Sequence, residues 1–174
     1  MSEVGTRDIS QLNWDVLVTP GIPIATSDLP PGMKQAMFQA IASTLIYGKR
    51  DAVLVDAYMT VKQADTLADW VAASGKNLTT IYITHGHGDH WFGIGALLER
   101  FPNARAVATP NVVRVMRKHA SPEILEKVWK ASFPDQIPDR LVIGEEIKEN
   151  VIDLEGHNLV AVDSAIPTLT TRPV

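Results

Sequence analysis

Residues 84–93 read THGHGDHWFG and close an apolar run, LTTIYIT (78–84). His85, His87, Asp89 and His90 thus fall within six residues. On a helix, steps of about 100° per residue would scatter these four side chains around the axis. On a strand, His85, His87 and Asp89 would share one face and His90 would point away. A tight loop just beyond a strand can gather all four, and Gly86 and Gly88 would supply the backbone freedom it needs. A single histidine is usually a surface or satisfied core residue, but donors at i, i+2, i+4 and i+5 are a pattern that chance rarely gives. Three imidazoles and a carboxylate suit zinc, with iron or manganese as alternatives.

The flanking sequence supplies the strand this loop requires, and an α/β architecture around it. WDVLV (14–18) reads as a first strand, ended by TPGIP, and SDLPPG (27–32) as a loop. MKQAMFQAIA (33–42) reads as a short helical or irregular piece. STLIYG and DAVLVDA, separated by Lys49 and Arg50, read as a hairpin. Thr60 and Gln63 have capping-box spacing. In the helix they open, Val61, Ala64, Leu67, Ala68, Val71 and Ala72 form one apolar face, and Gly75 suits the position after its end. GIGALLERF (93–101) reads as a helix and ARAVAT (104–109) as a strand. Thr109-Pro110 and Ser121-Pro122 each place a capping side chain before a proline suited to a first helical turn. Residues 134–138 read as loop, and LVIGEEIKENVIDLEGHNLVAVD (141–163) as strands with a Glu-rich connection. Strands alternating with helices of this length imply layers around a central sheet. No linker divides the chain, so residues 1–174 read as a single domain.

Composition narrows the chemistry. The 174 residues are 45% apolar and 21% charged, ordinary values for a folded globular protein. There is no cysteine, so disulfides, thiolate metal sites and cysteine nucleophiles are excluded. A net charge of −4 gives no basic field to attract nucleic acid. The start, MSEVGTRDIS, is polar, and no stretch approaches the roughly 20 apolar residues of a membrane-spanning helix. The expectation is a cytoplasmic protein acting on a small molecule, with neither nucleic acid nor membrane as partner. RVMRKH (114–119) reads as a solvated helix end. Trp91 and Phe92 read as packing beneath the loop or as the lining of a pocket, and Trp70 and Trp129 as core or interface. No G-x-S-x-G elbow supports serine hydrolysis.

THGHGDHWFG after an apolar strand resembles the H-x-H-x-D-H signature of the metallo-β-lactamase superfamily, and the order of elements across roughly residues 14–163 agrees. The resemblance implies a metallo-β-lactamase-like αββα sandwich. It implies that His85 and His87 bind one metal, that Asp89 and His90 bind a second, and that zinc is present as one or two ions. It assigns Asp89 the orientation of the attacking water, which makes Asp89 the candidate catalytic residue, and it gives Asp56 a supporting place behind the metal loop. Paired ions lower the pKa of a bound water and polarise the bond under attack, so no Ser or Cys nucleophile is needed. The implied activity is hydrolysis of an ester, lactone, β-lactam, thioester or phosphodiester.

The chain also departs from the family pattern. The family completes its site with a histidine in a Gly-His-Thr-like turn after a strand, a bridging aspartate and a last histidine, and no evident copy follows here. His157 lies in the right region but precedes the strand NLVAVD, so a hairpin-turn histidine is the simpler reading and a ligand the lesser one. The tail SAIPTLTTRPV (164–174) has neither strand nor helix pattern. Codons that encode it can be chosen so that a shifted frame reads Gly-His-Thr-Asp-Thr-Asp-His, which suggests a longer hydrolase altered by a frameshift near Asp163. The expected fold is therefore the N-terminal portion of the sandwich. Its exposed sheet face would favour a homo-oligomer. The alternative to an enzyme is a non-catalytic metal-binding remnant or an assembly-forming half-domain.

Overall fold

In the computed structural model, residues 11–162 are described, and the expectations for the tail at 164–174 lie outside them. Runs rich in β-branched and aromatic residues become strands because branched side chains pack well on a pleated surface. They are β1 (Asn13–Thr19), β2 (Pro23–Ile24), β3 (Ala36–Met37), β4 (Ile41–Tyr47), β5 (Asp51–Val55), β6 (Asn77–Ile83), β7 (Arg105–Ala108), β8 (Glu145–Glu146), β9 (Val151–Leu154) and β10 (His157–Val160). The helices are α1 (Val61–Ala73), α2 (Gly88–Trp91), α3 (Ile94–Arg100), α4 (Pro110–His119) and α5 (Pro122–Ile124), followed by a π-helical segment, Leu125–Lys130.

Six strands form one mixed sheet in the order β1-β4-β5-β6-β7-β8. β1, β4 and β5 run antiparallel, whereas β5 to β8 run parallel. Helix α1 links β5 to β6, and α2 with α3 links β6 to β7, so the parallel half is built from strand-helix-strand units. Register aligns Leu45, Leu54, Ile81 and Ala106 across four strands, and all four are buried. This row carries the core, against which α1 turns Ala64, Leu67, Ala68 and Val71. Each such large aliphatic side chain contributes about 1.5–3 kcal/mol by leaving water. Thr60 and Gln63 form the reciprocal capping box, and Gly75 takes φ +67° just past the helix end.

The opposite face is thinly covered. The β9–β10 hairpin leans over Ile46, Val53, Val55 and Tyr82, leaving a cleft of about 150 Å³. Trp14, Val16 and Val18 on the edge strand β1 are 67%, 45% and 61% exposed, an apolar stripe on this same face. The hairpin is tied down at its turn, where the Glu155 carboxylate accepts from the backbone N–H groups of Lys49 (2.9 Å), Arg50 (2.6 Å) and Asp51 (2.8 Å).

Residues 33–42 are not helical. Phe38 N–H donates to Ile22 O at 2.7 Å, which draws this piece into the β2–β3 pair, and β4 begins at Ile41. The helix-forming residues Lys34, Gln35 and Ala36 are outweighed by the two-residue alternation of Ile41, Ser43 and Leu45, which are buried while Ala42 is exposed. Among the described residues, no helix is long and apolar enough to cross a membrane.

Candidate functional site

Ligand sites in open α/β sheets lie beyond the carboxyl ends of the parallel strands. Asp56 follows β5, His85–His90 follow β6, and Thr109 follows β7, so the histidine motif sits at that edge. His85 to His87 form an extended bend, and Asp89 and His90 lie in the single turn of α2, with His87 at its start. The expectation that one loop gathers all four side chains is corrected to a bend running into a helical turn.

The reason for the glycines is corrected too. Among the described glycines, positive φ occurs at Gly32, Gly75 and Gly156, but not at Gly86 or Gly88. What these two positions need is space. A Cβ on Gly86 would stand 2.5 Å from Val115 Cβ and 2.7 Å from Val112 O, and one on Gly88 would strike the Phe92 ring. Gly86 therefore lets α4 lie directly against the motif.

Asp56 organises the loop from behind. It is buried at 8% exposure and left-handed at φ +65°, a conformation that aspartate tolerates better than most residues. Its Oδ1 accepts from Thr84 N–H at 2.9 Å, and Thr84 Oγ1 donates to Oδ2 at 2.7 Å. His90 Nδ1 lies 2.8 Å from the same Oδ2, which sets the ring proton on Nδ1 and leaves Nε2 as the free nitrogen. Two backbone bonds close the assembly: Ala57 N–H to His90 O at 2.6 Å, and Gly93 N–H to Tyr58 O at 3.1 Å. Trp91 and Phe92 are fully buried, and the Trp91 indole donates to Gly86 O at 2.9 Å, so they pack beneath the loop rather than line a pocket.

The rings converge in pairs. His85 meets His87 edge to face at 4.1 Å between centroids and His90 at 5.4 Å. His90 Nε2 lies 3.6 Å from Asp89 Oδ2. Donors bound tetrahedrally at about 2.0–2.1 Å from zinc stand about 3.4 Å apart, so this pair has a spacing that fits one ion. Among the described residues, however, no three His, Asp or Glu side chains converge on a single point. The donor set fits a divalent ion in its chemistry and in the spacing of this one pair.

Electrostatics acts in opposite directions on His85 and His90. Burial, with help from His87 and His90, pushes His85 below its usual pKa. At His90 burial opposes the charged form, but the hydrogen bond to Asp56 and the charges of Asp56 and Asp89 outweigh it and raise the pKa.

One residue of the site escaped the sequence reading. His119, the last residue of α4, stacks on His87 at 4.5 Å with an interplanar angle of 28°. The Trp129 indole N–H donates to its Nδ1 at 3.1 Å. Burial, with His87 and Lys118 nearby, pushes its pKa down to about 4. RVMRKH is therefore a solvated helix end only in part: Arg114, Arg117 and Lys118 are exposed, whereas His119 turns inward. The signal was its spacing from the buried Val112 and Met116, at i, i+4 and i+7 on one helix face. His157, by contrast, lies two residues from the Glu155 clasp on the β4–β5 turn, at the end of β5 opposite Asp56, as a hairpin histidine.

A family model of the metallo-beta-lactamase superfamily matches residues 37–165. The chain belongs to the metallo-beta-lactamase superfamily. A hydroxyacylglutathione hydrolase of Francisella tularensis subsp. novicida (strain U112) is 38% identical over 64 residues, which is 37% of this chain and 24% of that protein. Among solved structures, a metallo-beta-lactamase of Cronobacter sakazakii has a TM-score of 0.53 at 21% identity, covering 69% of this chain and 45% of that one. A subclass B3 metallo-beta-lactamase of Bradyrhizobium japonicum has a TM-score of 0.52 at 20% identity, covering 69% and 44%. These likenesses show the fold of the superfamily. The matched region spans about a quarter of the curated relative and under half of the solved structures, which agrees with a partial sandwich.

Proposed function

We propose that this chain is a metal-dependent hydrolase part of the superfamily, with His85, His87, Asp89 and His90 as the ligands of one or two zinc ions. The observation that carries the reading is the Asp56–His90 pair. A carboxylate on one ring nitrogen that leaves the other free beside a second carboxylate is how proteins orient a metal-binding imidazole. When bound, the ion supplies Lewis-acid polarisation and a water of lowered pKa. Asp89, 7% exposed at the start of α2, accepts a hydrogen bond from the attacking water and aligns it. Asp56 keeps the His90 proton on Nδ1. The buried Trp91 and Phe92 exclude water from below the loop. The bond cleaved is an ester, lactone, β-lactam, thioester or phosphodiester.

Zinc binding to protein purified without added metal, with hydrolysis measured on that panel of substrates, tests the proposal. Roughly one to two equivalents of zinc are expected, with turnover lost in His87→Ala and Asp89→Ala. Activity unchanged in both variants would place the chemistry elsewhere. A second reading, a metal-binding piece without turnover, is favoured by one observation: the candidate ligands all come from a single short segment, where a closed shell draws on several. Bound zinc with no turnover on any of these substrates would select it.

A further inference from the structure

We propose that Trp129 and His119 form a positioning element for His87: the indole fixes the His119 ring, and the His119 ring fixes the plane of His87. The inference rests on the reading of His87 as a zinc ligand. His90 has Asp56 to orient it, but among the described residues no side chain hydrogen-bonds the His87 ring. Its plane is set by contact alone, with His119 stacked on it at 4.5 Å and His85 edge-on at 4.1 Å.

Stacking orients His87 only if His119 is itself fixed. An indole N–H is a donor and nothing else. At 3.1 Å from Trp129 Nε1, His119 Nδ1 must therefore accept, and the ring proton must sit on Nε2. Flipping the ring would set Cδ2 against the indole N–H and orphan a donor on a side chain only 7% exposed. The same tautomer removes His119 from the ligand set, because both nitrogens are already committed, one to accepting and one to its proton. Trp129 is in turn anchored. It lies 5.3 Å from Phe92 in edge contact and 6.4 Å from Phe133 in a stacked one, and Phe92 follows the metal motif directly. A continuous path of rings thus runs from the core through Trp129 and His119 to His87. Trp129 stands in the π-helical segment, a form often found at functional sites.

The test compares wild type, His119→Ala and the double variant His119→Phe/Trp129→Phe. The double variant keeps both flat faces, holds the ring at position 119 by packing against the ring at position 129 in place of the hydrogen bond, and leaves no orphaned donor, so it separates ring orientation from folding. In metal-free protein, three-bond couplings should report one His87 side-chain rotamer in wild type and in the double variant, and averaging in His119→Ala. Imidazole ¹⁵N shifts should report an unprotonated Nδ1 on His119. Zinc affinity, read against a chromophoric chelator, should fall about 10- to 100-fold in His119→Ala and return to within about threefold of wild type in the double variant. Wild-type rotamer and affinity in His119→Ala would overturn the proposal, as would a double variant as weak as His119→Ala or a protonated Nδ1 on His119. If wild type binds no zinc, the proposed function fails instead. The rotamer comparison then judges the positioning element by itself: averaging confined to His119→Ala supports it, and its absence overturns it.

Discussion

Replacing Asp56 separates the folding of the histidine loop from its capacity to bind metal. Asp56→Ala removes the acceptor for Thr84 N–H, Thr84 Oγ1–H and His90 Nδ1–H at once, in a site only 8% exposed. Buried donors left unpaired cost about 1–3 kcal/mol each. The Thr84 hydroxyl can rotate toward another acceptor, and water can reach the exposed Thr84 and the partly exposed His90, so the two N–H groups fall at the low end of this range and a loss of about 2–3 kcal/mol is expected in denaturant unfolding. Asp56→Asn should behave differently. An asparagine tolerates φ +65°, its carbonyl can keep the Thr84 N–H bond, and the hydroxyl can turn to accept. Its NH₂ then faces His90 Nδ1, which must accept, and the ring proton moves to Nε2, the nitrogen beside Asp89. The expected outcome is a stability loss of about 1–2 kcal/mol but a zinc affinity lower by about 10- to 100-fold, with the tautomer change visible in ¹⁵N shifts. Wild-type zinc affinity in Asp56→Asn would refute the claim that Asp56 sets the His90 tautomer. An Asp56→Ala protein within about 1 kcal/mol of wild type would refute the claim that Asp56 holds the loop in place.

Gly86→Ala should destabilise the protein by about 1–3 kcal/mol and weaken zinc binding, because its Cβ can be accommodated only if α4 moves away from the motif; unchanged unfolding and affinity would show that α4 gives way freely. Glu155 is held near pKa 2 by the Asp51, Arg50 and Lys49 backbone N–H groups, well below its ordinary 4.5. A lowered carboxylate pKa stabilises above the unfolded value and loses that contribution as pH falls through the folded one, so amide protection factors at Lys49–Asp51, taken relative to intrinsic exchange at each pH, should fall between pH 4.5 and about 2 in wild type and lose this pH dependence in Glu155→Gln. The exposed Trp14, Val16 and Val18 stripe on an edge strand predicts a homo-oligomer in size-exclusion chromatography with light scattering, shifted toward monomer in Trp14→Lys/Val18→Lys; a wild-type monomer at micromolar concentration would count against it.

What the sequence made legible was what local chemistry decides. The α1 start was readable because Thr60 and Gln63 satisfy each other's donors within one turn, and its end because Gly75 takes a left-handed conformation. The histidine motif stood out because its spacing suits neither a regular helix nor a regular strand. Residues 33–42 were not readable, because Ile41, Ser43 and Leu45 acquire their buried face only when β4 pairs with β1, which is distant in sequence. Gly86 and Gly88 were noticed for the wrong property. Their neighbours Val112, Val115 and Phe92 are set by packing, and nothing in a single sequence says which helix will lie against a loop. His119 was concealed for the same reason, its partner Trp129 being ten residues on and its stacking partner His87 thirty-two residues back.

The contacts that order the histidine segment come from a limited part of the chain. Asp56, Ala57 and Tyr58 beyond β5, Thr84 beyond β6, Val112 to His119 on α4, and Trp129 in the π-helical segment account for its hydrogen bonds and stacked rings. None of them lies in the β9–β10 hairpin or on the exposed face of β1, which occupy the other side of the sheet. The loop can therefore be shaped by the helical side alone, while the opposite face remains available to whatever covers it. A catalytic site needs more than shape, since the remaining donors and the walls that select a substrate must come from somewhere. The Trp129–His119–His87 path and the Asp56–His90 pair hold two of the rings on residues drawn from between positions 56 and 129. Orientation of the first ligands and completion of the site are thus physically separable, which is why metal affinity and turnover have to be measured independently in this chain.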